Sequence, residues 1–330
     1  MTINEIAELA GVSRATVSRY LNEGYVSAEK REAIRKVIEE TGYEPSIQAQ
    51  NLRKKVTRLI GVIIPRIQSD SVSRMVAGIS SVLSEAGYQL LLANTQNDIE
   101  EELKYLKVFG KNQVDGIIIM GTVFSKTHFQ LMQEAEVPIV VAGQQLEDYT
   151  CVYQDDYQAA KEVTRALLKN GRKIGYIGVT EKDKAAGASR RAGFLAALQE
   201  EQIQIPEKEM QTAEFSVASG YEKAKQLLEQ VPDTDAIFCA TDSIAVGALK
   251  YLHEKKIAVP EQVQLMGFGD TEIGSVVTPS IATVHYFYKT TGMEAAKLLL
   301  EIIDGGKDFK KTVKMGFELK KQGSLRESGL

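Results

Sequence analysis

Residues 2–22 read TINEIAELAGVSRATVSRYLN. Thr2-Ile3-Asn4-Glu5 has the form of a capping box, in which the Thr2 hydroxyl and the Glu5 carboxylate satisfy free backbone donors at a helix start. Ile3, Ile6, Ala7, Leu9 and Ala10 then recur at helical spacing, which predicts a helix over about Ile3 to Ala10. Gly11 tolerates the positive φ that ends such a helix. Ser13 is placed to cap a second helix carrying Val17, Tyr20 and Leu21 on one side and Arg14, Ala15, Ser18 and Arg19 on the others. A third helix is expected after Ser27, with Ala33, Ile34, Val37 and Ile38 inward and Gly42 at its end. Two short helices joined by Gly-Val-Ser and braced by a third make a helix-turn-helix. In that motif the start of the second helix faces base edges in the major groove, so its residues must be polar or small. Arg14 can pair with guanine, Arg19 can reach a base or a phosphate, and Ala15 leaves room for a thymine methyl. Ser13, Thr16 and Ser18 offer short hydroxyls suited to phosphates.

The 330 residues carry a formal charge of −4, with 40 Lys and Arg against 44 Asp and Glu. Residues 1–58 hold ten basic and eight acidic side chains, so a slightly basic head of +2 sits on a body of −6. That asymmetry permits nucleic-acid binding without requiring it. Cys151 and Cys239 lie far apart in apolar runs, the pattern of buried free thiols in a reducing compartment. No run approaches the ~18 apolar residues of a membrane span, and the N-terminus has no basic-then-apolar leader, so a cytoplasmic protein is expected.

After Pro45-Ser46 comes SIQAQNLRKKVTR, a charged segment too short to hold a helix alone. Two readings stay open for it: an ordinary linker, or a segment that becomes helical on DNA with Leu52 wedged between base steps. From Leu59 the pattern changes. RLIGVIIP, YQLLLANT, DGIIIMG and PIVVAG read as buried parallel strands, with helices between them near 72–86, 98–111 and 125–135. KIGYIGV, DAIFCAT and VQLMGFG repeat the alternation after residue 172. The expected fold is a small all-α head followed by two tandem α/β lobes, each a doubly wound parallel sheet, with ligands in the crevice at the carboxyl ends of the strands. Arg66 follows the first strand at such an end, where a cation could meet an anionic ligand group. Catalysis is not expected: His128, His253 and His285 are scattered in no metal or nucleophile spacing, and no Gly-rich phosphate loop follows the first strand. No metal or cofactor is expected either.

The chain resembles the lactose and galactose repressor family of bacterial transcription regulators along essentially its whole length. The motifs that carry the resemblance are residues 2–22, YVSAEKREAIRKVIEETGYEPS, LIGVIIP, QVDGIIIMG, RRAGFLAAL, ATDSIAVGAL and MGFGDTE. It implies a helix-turn-helix domain over 1–44, a hinge over 45–58 and a periplasmic-binding-protein-like effector domain over 59–330, with a first lobe of 59–157 plus 289–320 and a second of 158–288. It further implies a homodimer on a pseudo-palindromic operator, a small sugar effector and no membrane partner. The DNA-contacting set it implies is Thr2, Ser13, Arg14, Ala15, Thr16, Ser18, Arg19 and Asn22 in the head and Ala49, Leu52 and Arg53 in the hinge. The effector set is Arg66, Ser71, Gln144, Arg190, Phe215, Thr241, Asp242, Asp270 and Tyr286, with the planar five-donor fork of Arg190 suited to vicinal hydroxyls.

Two positions depart from the family pattern. Many relatives have Asp-Asp or Asp-Asn where this chain has Gly269-Asp270, and an Asp where it has Gly143-Gln144. A crevice short of hydroxyl-binding acids would repel a phosphate less. YQDD, AAGASRRAGF and Arg66 resemble the trehalose-type and sucrose-type branch, which implies a disaccharide or its phosphate. The strand motifs are shared with sugar-binding proteins of uptake, and regulation by a corepressor or a protein partner is a further alternative within the family.

Overall fold

In the head, Thr2 N–H donates to Glu5 Oε2 (2.8 Å) and Glu5 N–H to Thr2 Oγ1 (3.4 Å), so helix α1, Ile3–Leu9, starts from the capping box its sequence announces. Gly11 takes φ +61° after it. Helix α2, Arg14–Leu21, begins at Ser13, whose Oγ accepts from Thr16 N–H at 3.2 Å. Helix α3, Ala28–Thr41, ends at left-handed Gly42. Ile6, Val17 and Ile34, one from each helix, are fully buried together and form a small core; each such side chain contributes about 1.5–3 kcal/mol.

The molecule is described from a computed structural model over residues 1–22, 24–43, 56–111, 113–171, 173–305 and 310–326. It divides into two units, Met1–Arg58 and Leu59–Leu330. The expected hinge residues Ala49, Leu52 and Arg53 lie outside the described residues.

The second unit is built on two six-stranded sheets. In chain order its first part runs β1 (Leu59–Ile64), α4 (Asp70–Glu85), β2 (Gln89–Asn94), α5 (Ile99–Phe109), β3 (Gly116–Ile119), α6 (Lys126–Glu134), β4 (Ile139–Ala142) and β5 (Thr150–Gln154). The chain then crosses into α7 (Asp156–Leu168), β6 (Ile174–Gly178), a π-helical turn at Lys184–Ser189, α8 (Arg190–Glu200), β7 (Met210–Thr212), α9 (Val217–Gln230), β8 (Ala236–Cys239), α10 (Asp242–Glu254), β9 (Gln264–Phe268), α11 (Glu272–Val276) and β10 (Ala282–Tyr286). Helix α12 (Tyr288–Gly305) and β11 (Thr312–Met315) return to the first lobe, and β12 (Phe317–Lys320) ends in the second. The sheet orders are β11-β5-β4-β3-β1-β2 and β12-β10-β9-β8-β6-β7, parallel throughout except for β12, which pairs antiparallel with β10. Strands such as Ile60–Ile64 and Ile117–Ile119 are buried on both faces, which is why they read as unbroken apolar runs.

The whole of 289–320 is expected in the first lobe, and the pairing of Thr283–Tyr286 with Phe317–Lys320 corrects the end of that range: β12 completes the second sheet. The lobes are thus joined three times, between Gln154 and Asp156, between Tyr286 and Tyr288, and between Met315 and Phe317. Cys151 and Cys239 are buried and unpaired. Among the described residues no helix is long and apolar enough to cross a membrane.

Helices α4 and α12 approach through glycine. A Cβ on Gly78 would lie 2.0 Å from Lys289 O, and one on Gly292 the same distance from Met75 O. Gly292→Ala is therefore expected to destabilise the protein by about 1–3 kcal/mol, overpacking outweighing the better helix propensity of alanine. Urea denaturation checks this, and an unchanged or raised midpoint would contradict the close approach.

Candidate functional site

The exposed face of α2 comes from its own pattern: Val17 turns into the three-helix core, so Arg14, Ala15 and Arg19 are left facing outward. Thr2, Ser13 and Asn22 are also exposed, and Thr16 and Ser18 are half-buried. Ser13 Oγ and Thr16 Oγ1 lie 2.9 Å apart, and Asn22 Nδ2 donates to Ser18 O at 2.6 Å, committing that amide to the helix end. Among the described residues neither Arg14 nor Arg19 forms an ion pair, which leaves two guanidinium groups on one short helix face.

Within the second unit a crevice of ≈ 530 Å³ opens between the lobes at the carboxyl ends of the strands, inside the ~300–1,000 Å³ of small-molecule sites. Arg66, Ser71, Gln144, Arg190, Phe215, Thr241 and Asp242 line it. Arg190 is 6% exposed at the start of α8. Its Nε donates to Asp156 Oδ1 at 2.8 Å, Nη1 donates to Ala240 O, and its Cζ lies 4.6 Å from the centre of the Phe268 ring. Burial is the largest single influence on Arg190 and works against its charge, but the Asp156 carboxylate together with Tyr286 and Tyr288 outweighs it and the pKa rises.

Arg66 and Phe215 meet each other across the crevice. The guanidinium sits 4.8 Å over the ring and Nη1 donates to Phe215 O at 3.4 Å, while Nε is buried without a hydrogen-bond partner. Burial lowers the Arg66 pKa, with Asp183 pulling the other way. Gln144, 5% exposed, donates from Nε2 to Gly121 O (2.7 Å) and Thr122 O (2.8 Å). Thr241 caps α10 by accepting from Ile244 N–H. Asp242 Oδ2 accepts from Thr271 N–H (2.8 Å) and Thr271 Oγ1 (3.1 Å), and Oδ1 accepts from Thr283 Oγ1 (2.5 Å). Burial raises its carboxyl pKa against the pull of those donors.

Two residues of the expected effector set do not line the crevice, and that is a correction. Asp270, at φ +49°, turns its carboxylate to His285 Nδ1 (2.7 Å), and its carbonyl accepts from Arg74. Tyr286 is wholly buried among Phe268 and Tyr288 because its place on β10 points it into the core, and its hydroxyl donates to Asp156 Oδ1 at 2.9 Å. Sequence reasoning missed Asp156, which lies in the quoted YQDD and anchors Arg190, and also Asp183, which lines the crevice while accepting from Ala185 and Ala186 N–H. With Asp156, Asp183 and Asp242 on its walls the crevice is not short of acids, contrary to the expectation drawn from Gly143 and Gly269. Burial raises the Asp183 carboxyl, so this acid and Asp242 both carry less tendency to ionise than free carboxylates. Among the described residues no group of three His, Cys, Asp or Glu is placed to hold a metal ion.

Residues 2–46 match the model of bacterial regulatory proteins of the lacI family, and residues 164–325 match the periplasmic binding protein-like domain. The sucrose operon repressor of Staphylococcus xylosus is 36% identical over 302 residues, 91% of this chain and 93% of that protein. The HTH-type transcriptional repressor PurR of Escherichia coli O139:H28 is 31% identical over 309 residues, 92% of this chain and 90% of that protein. Among solved structures, a complex of the transcriptional regulator CelR with cellobiose is similar at a TM-score of 0.77 and 27% identity, covering 98% of this chain and 99% of the other.

Proposed function

The chain belongs to the lacI family of bacterial regulatory proteins, and on that footing we propose that it represses a sugar-utilisation operon and leaves its operator when a disaccharide fills the crevice. The observation that carries this reading is the pairing in one chain of the exposed Arg14 and Arg19 face with a polar crevice whose central guanidinium, Arg190, is anchored by Asp156. A sucrose operon repressor and a cellobiose complex among the similar proteins support a disaccharide as the effector class. The protein acts as a homodimer on a pseudo-palindromic site, one head to each half-site, since a two-fold protein matches a two-fold operator.

Release follows from linkage. A sugar weakens operator binding only by preferring the lobe arrangement that fits DNA poorly, and a hundredfold weakening needs ~2.7 kcal/mol of that preference. The hydroxyl-rich ligand meets donors from Arg190 and acceptors from Asp156, Asp183 and Asp242. Arg190 and Arg74 already face carboxylates at 2.8 Å, whereas Arg66 forms no ion pair among the described residues. Arg66 is thus the cation that recognises a phosphate on the disaccharide.

Calorimetry on the full chain with sucrose and sucrose 6-phosphate tests this. Arg66→Ala is expected to weaken the phosphorylated sugar by about 10- to 100-fold, the worth of a charged hydrogen bond, and free sucrose by less than about threefold. Equal losses for both sugars would remove the phosphate role of Arg66. Binding of neither sugar to the wild type would remove the disaccharide reading itself.

A further inference from the structure

Beneath the crevice wall of the first lobe two ionisable side chains are buried that take no part in the site described above. Glu102 on α5 and His128 on α6 have side chains 6% and 0% exposed, and Glu102 Oε1 faces His128 Nε2 at 3.0 Å, off the axis of a well-aligned hydrogen bond. His128 Nδ1 accepts the Ser125 N–H at 3.1 Å and lies 2.8 Å from Ser125 Oγ. A neutral imidazole that accepts at Nδ1 carries its proton on Nε2, so the proton faces the Glu102 carboxylate. Phe124 packs edge-on against the imidazole, with ring centres 5.7 Å apart. At the other end of the same loop a Cβ on Gly121 would lie 2.8 Å from Glu102 Oε1 and 2.7 Å from Phe124 Cζ, so Gly121 packs closely against Glu102 and Phe124.

The loop shows Gln144 two carbonyls, Gly121 O at 2.7 Å and Thr122 O at 2.8 Å, and both are met by Nε2. Two carbonyls demand the amide nitrogen, so the carboxamide has one polarity only. Its Oε1 is buried without a partner on a residue that lines the crevice. A buried acceptor left unpaired is costly, and a ligand hydroxyl removes that cost.

We propose that Glu102 and His128 are positioning residues for the effector. They hold the 121–125 loop so that its carbonyls orient Gln144, and the crevice then offers at that point an acceptor that takes a hydroxyl and refuses an ether or carbonyl oxygen. This inference rests on the sugar reading of the crevice and deepens it.

Sucrose and sucrose 6-phosphate are titrated calorimetrically into the full-length protein, and the tighter of the two is followed through Gln144→Leu, His128→Leu, the double variant and His128→Asn. Each leucine variant is expected to weaken that sugar by about tenfold. The double variant is expected to stay within about twofold of either single one, because both remove the same interaction. His128→Asn, whose side-chain oxygen can still accept from Ser125 but which has no group to face Glu102, is expected to fall between wild type and the Leu variant. Losses that multiply to about a hundredfold in the double variant mark a merely structural role and overturn the proposal. So does a folded His128→Leu with wild-type affinity, or an Asn variant as damaged as the Leu one. Should His128→Leu not fold, Glu102→Gln replaces it in the same cycle, where a non-additive loss supports the proposal and a multiplying loss overturns it. A wild type that binds neither sugar fails earlier, at the sugar reading, and takes this inference with it.

Discussion

Asp156→Ala is expected to destabilise the protein by about 3–5 kcal/mol and to abolish its response to the effector. Asp156 accepts from Arg190 Nε and from the Tyr286 hydroxyl through the same oxygen, Oδ1, at 2.8 and 2.9 Å. Removing the carboxylate leaves a guanidinium that is 6% exposed without the partner it is hydrogen-bonded to, an expensive single change in a buried pair. The position of the pair magnifies the consequence. Asp156 opens α7 just after the chain crosses between lobes, and Tyr286 closes β10 just before it crosses back, so one carboxylate ties two of the three connections. Tyr286→Phe, which deletes a single donor, is expected to cost only about 1 kcal/mol. Urea denaturation with and without saturating sugar measures both variants. An Asp156→Ala loss below about 1 kcal/mol would show that Arg190 is solvated rather than held by its partner.

Arg14→Ala is expected to reduce operator affinity by about 30-fold to more than 10⁴-fold, because a bidentate base contact contributes about 1–3 kcal/mol and a dimer loses two. The same variant is expected to bind sugar within about twofold of wild type, since Arg14 belongs to the Met1–Arg58 unit and the crevice to the Leu59–Leu330 unit. Arg19 provides the contrast. If its role is a phosphate contact, Arg19→Ala weakens operator and unrelated DNA alike and flattens the salt dependence, whereas Arg14→Ala loses the distinction between them. Equal loss on both DNAs for Arg14→Ala would move that residue from the base edges to the backbone.

The head was legible because short-range chemistry decides it. Thr2 and Glu5, Ser13, and Gly11 and Gly42 each set a helix end through their own backbone neighbours, and the helices observed begin where those residues place them. The central strands were legible for a different reason, since burial on both faces writes Ile and Val without interruption. Strands β5, β7, β10, β11 and β12 were not legible: Thr150–Gln154, Ala282–Tyr286 and Thr312–Met315 interleave polar residues with apolar ones, Met210–Thr212 has three residues, and Phe317–Lys320 mixes charge with apolar side chains at a sheet edge. Which lobe owns β12 is decided by pairing with β10, about 34 residues earlier in the chain, and no local pattern records such a partner.

The crevice was legible by position and less so by role. Arg66 and Phe215 are both on its wall, yet they touch one another, a relation between residues 149 apart that only the folded lobes create. Asp156 carried no signal of its own within YQDD, where Asp155 takes the ordinary task of capping α7 from Gln158 N–H. The buried Glu102 and His128 pair was equally silent, because each sits in an amphipathic helix where solvation is the default expectation.

The most direct test is fluorescence anisotropy of the full-length protein on a pseudo-palindromic operator from its own upstream DNA, at fixed salt, with sucrose and sucrose 6-phosphate added in turn. The predicted result is operator-specific binding that one of the two sugars weakens by at least about tenfold, about 1.4 kcal/mol of coupling. Binding that does not distinguish operator from unrelated DNA, or that either sugar tightens, would contradict sugar-released repression.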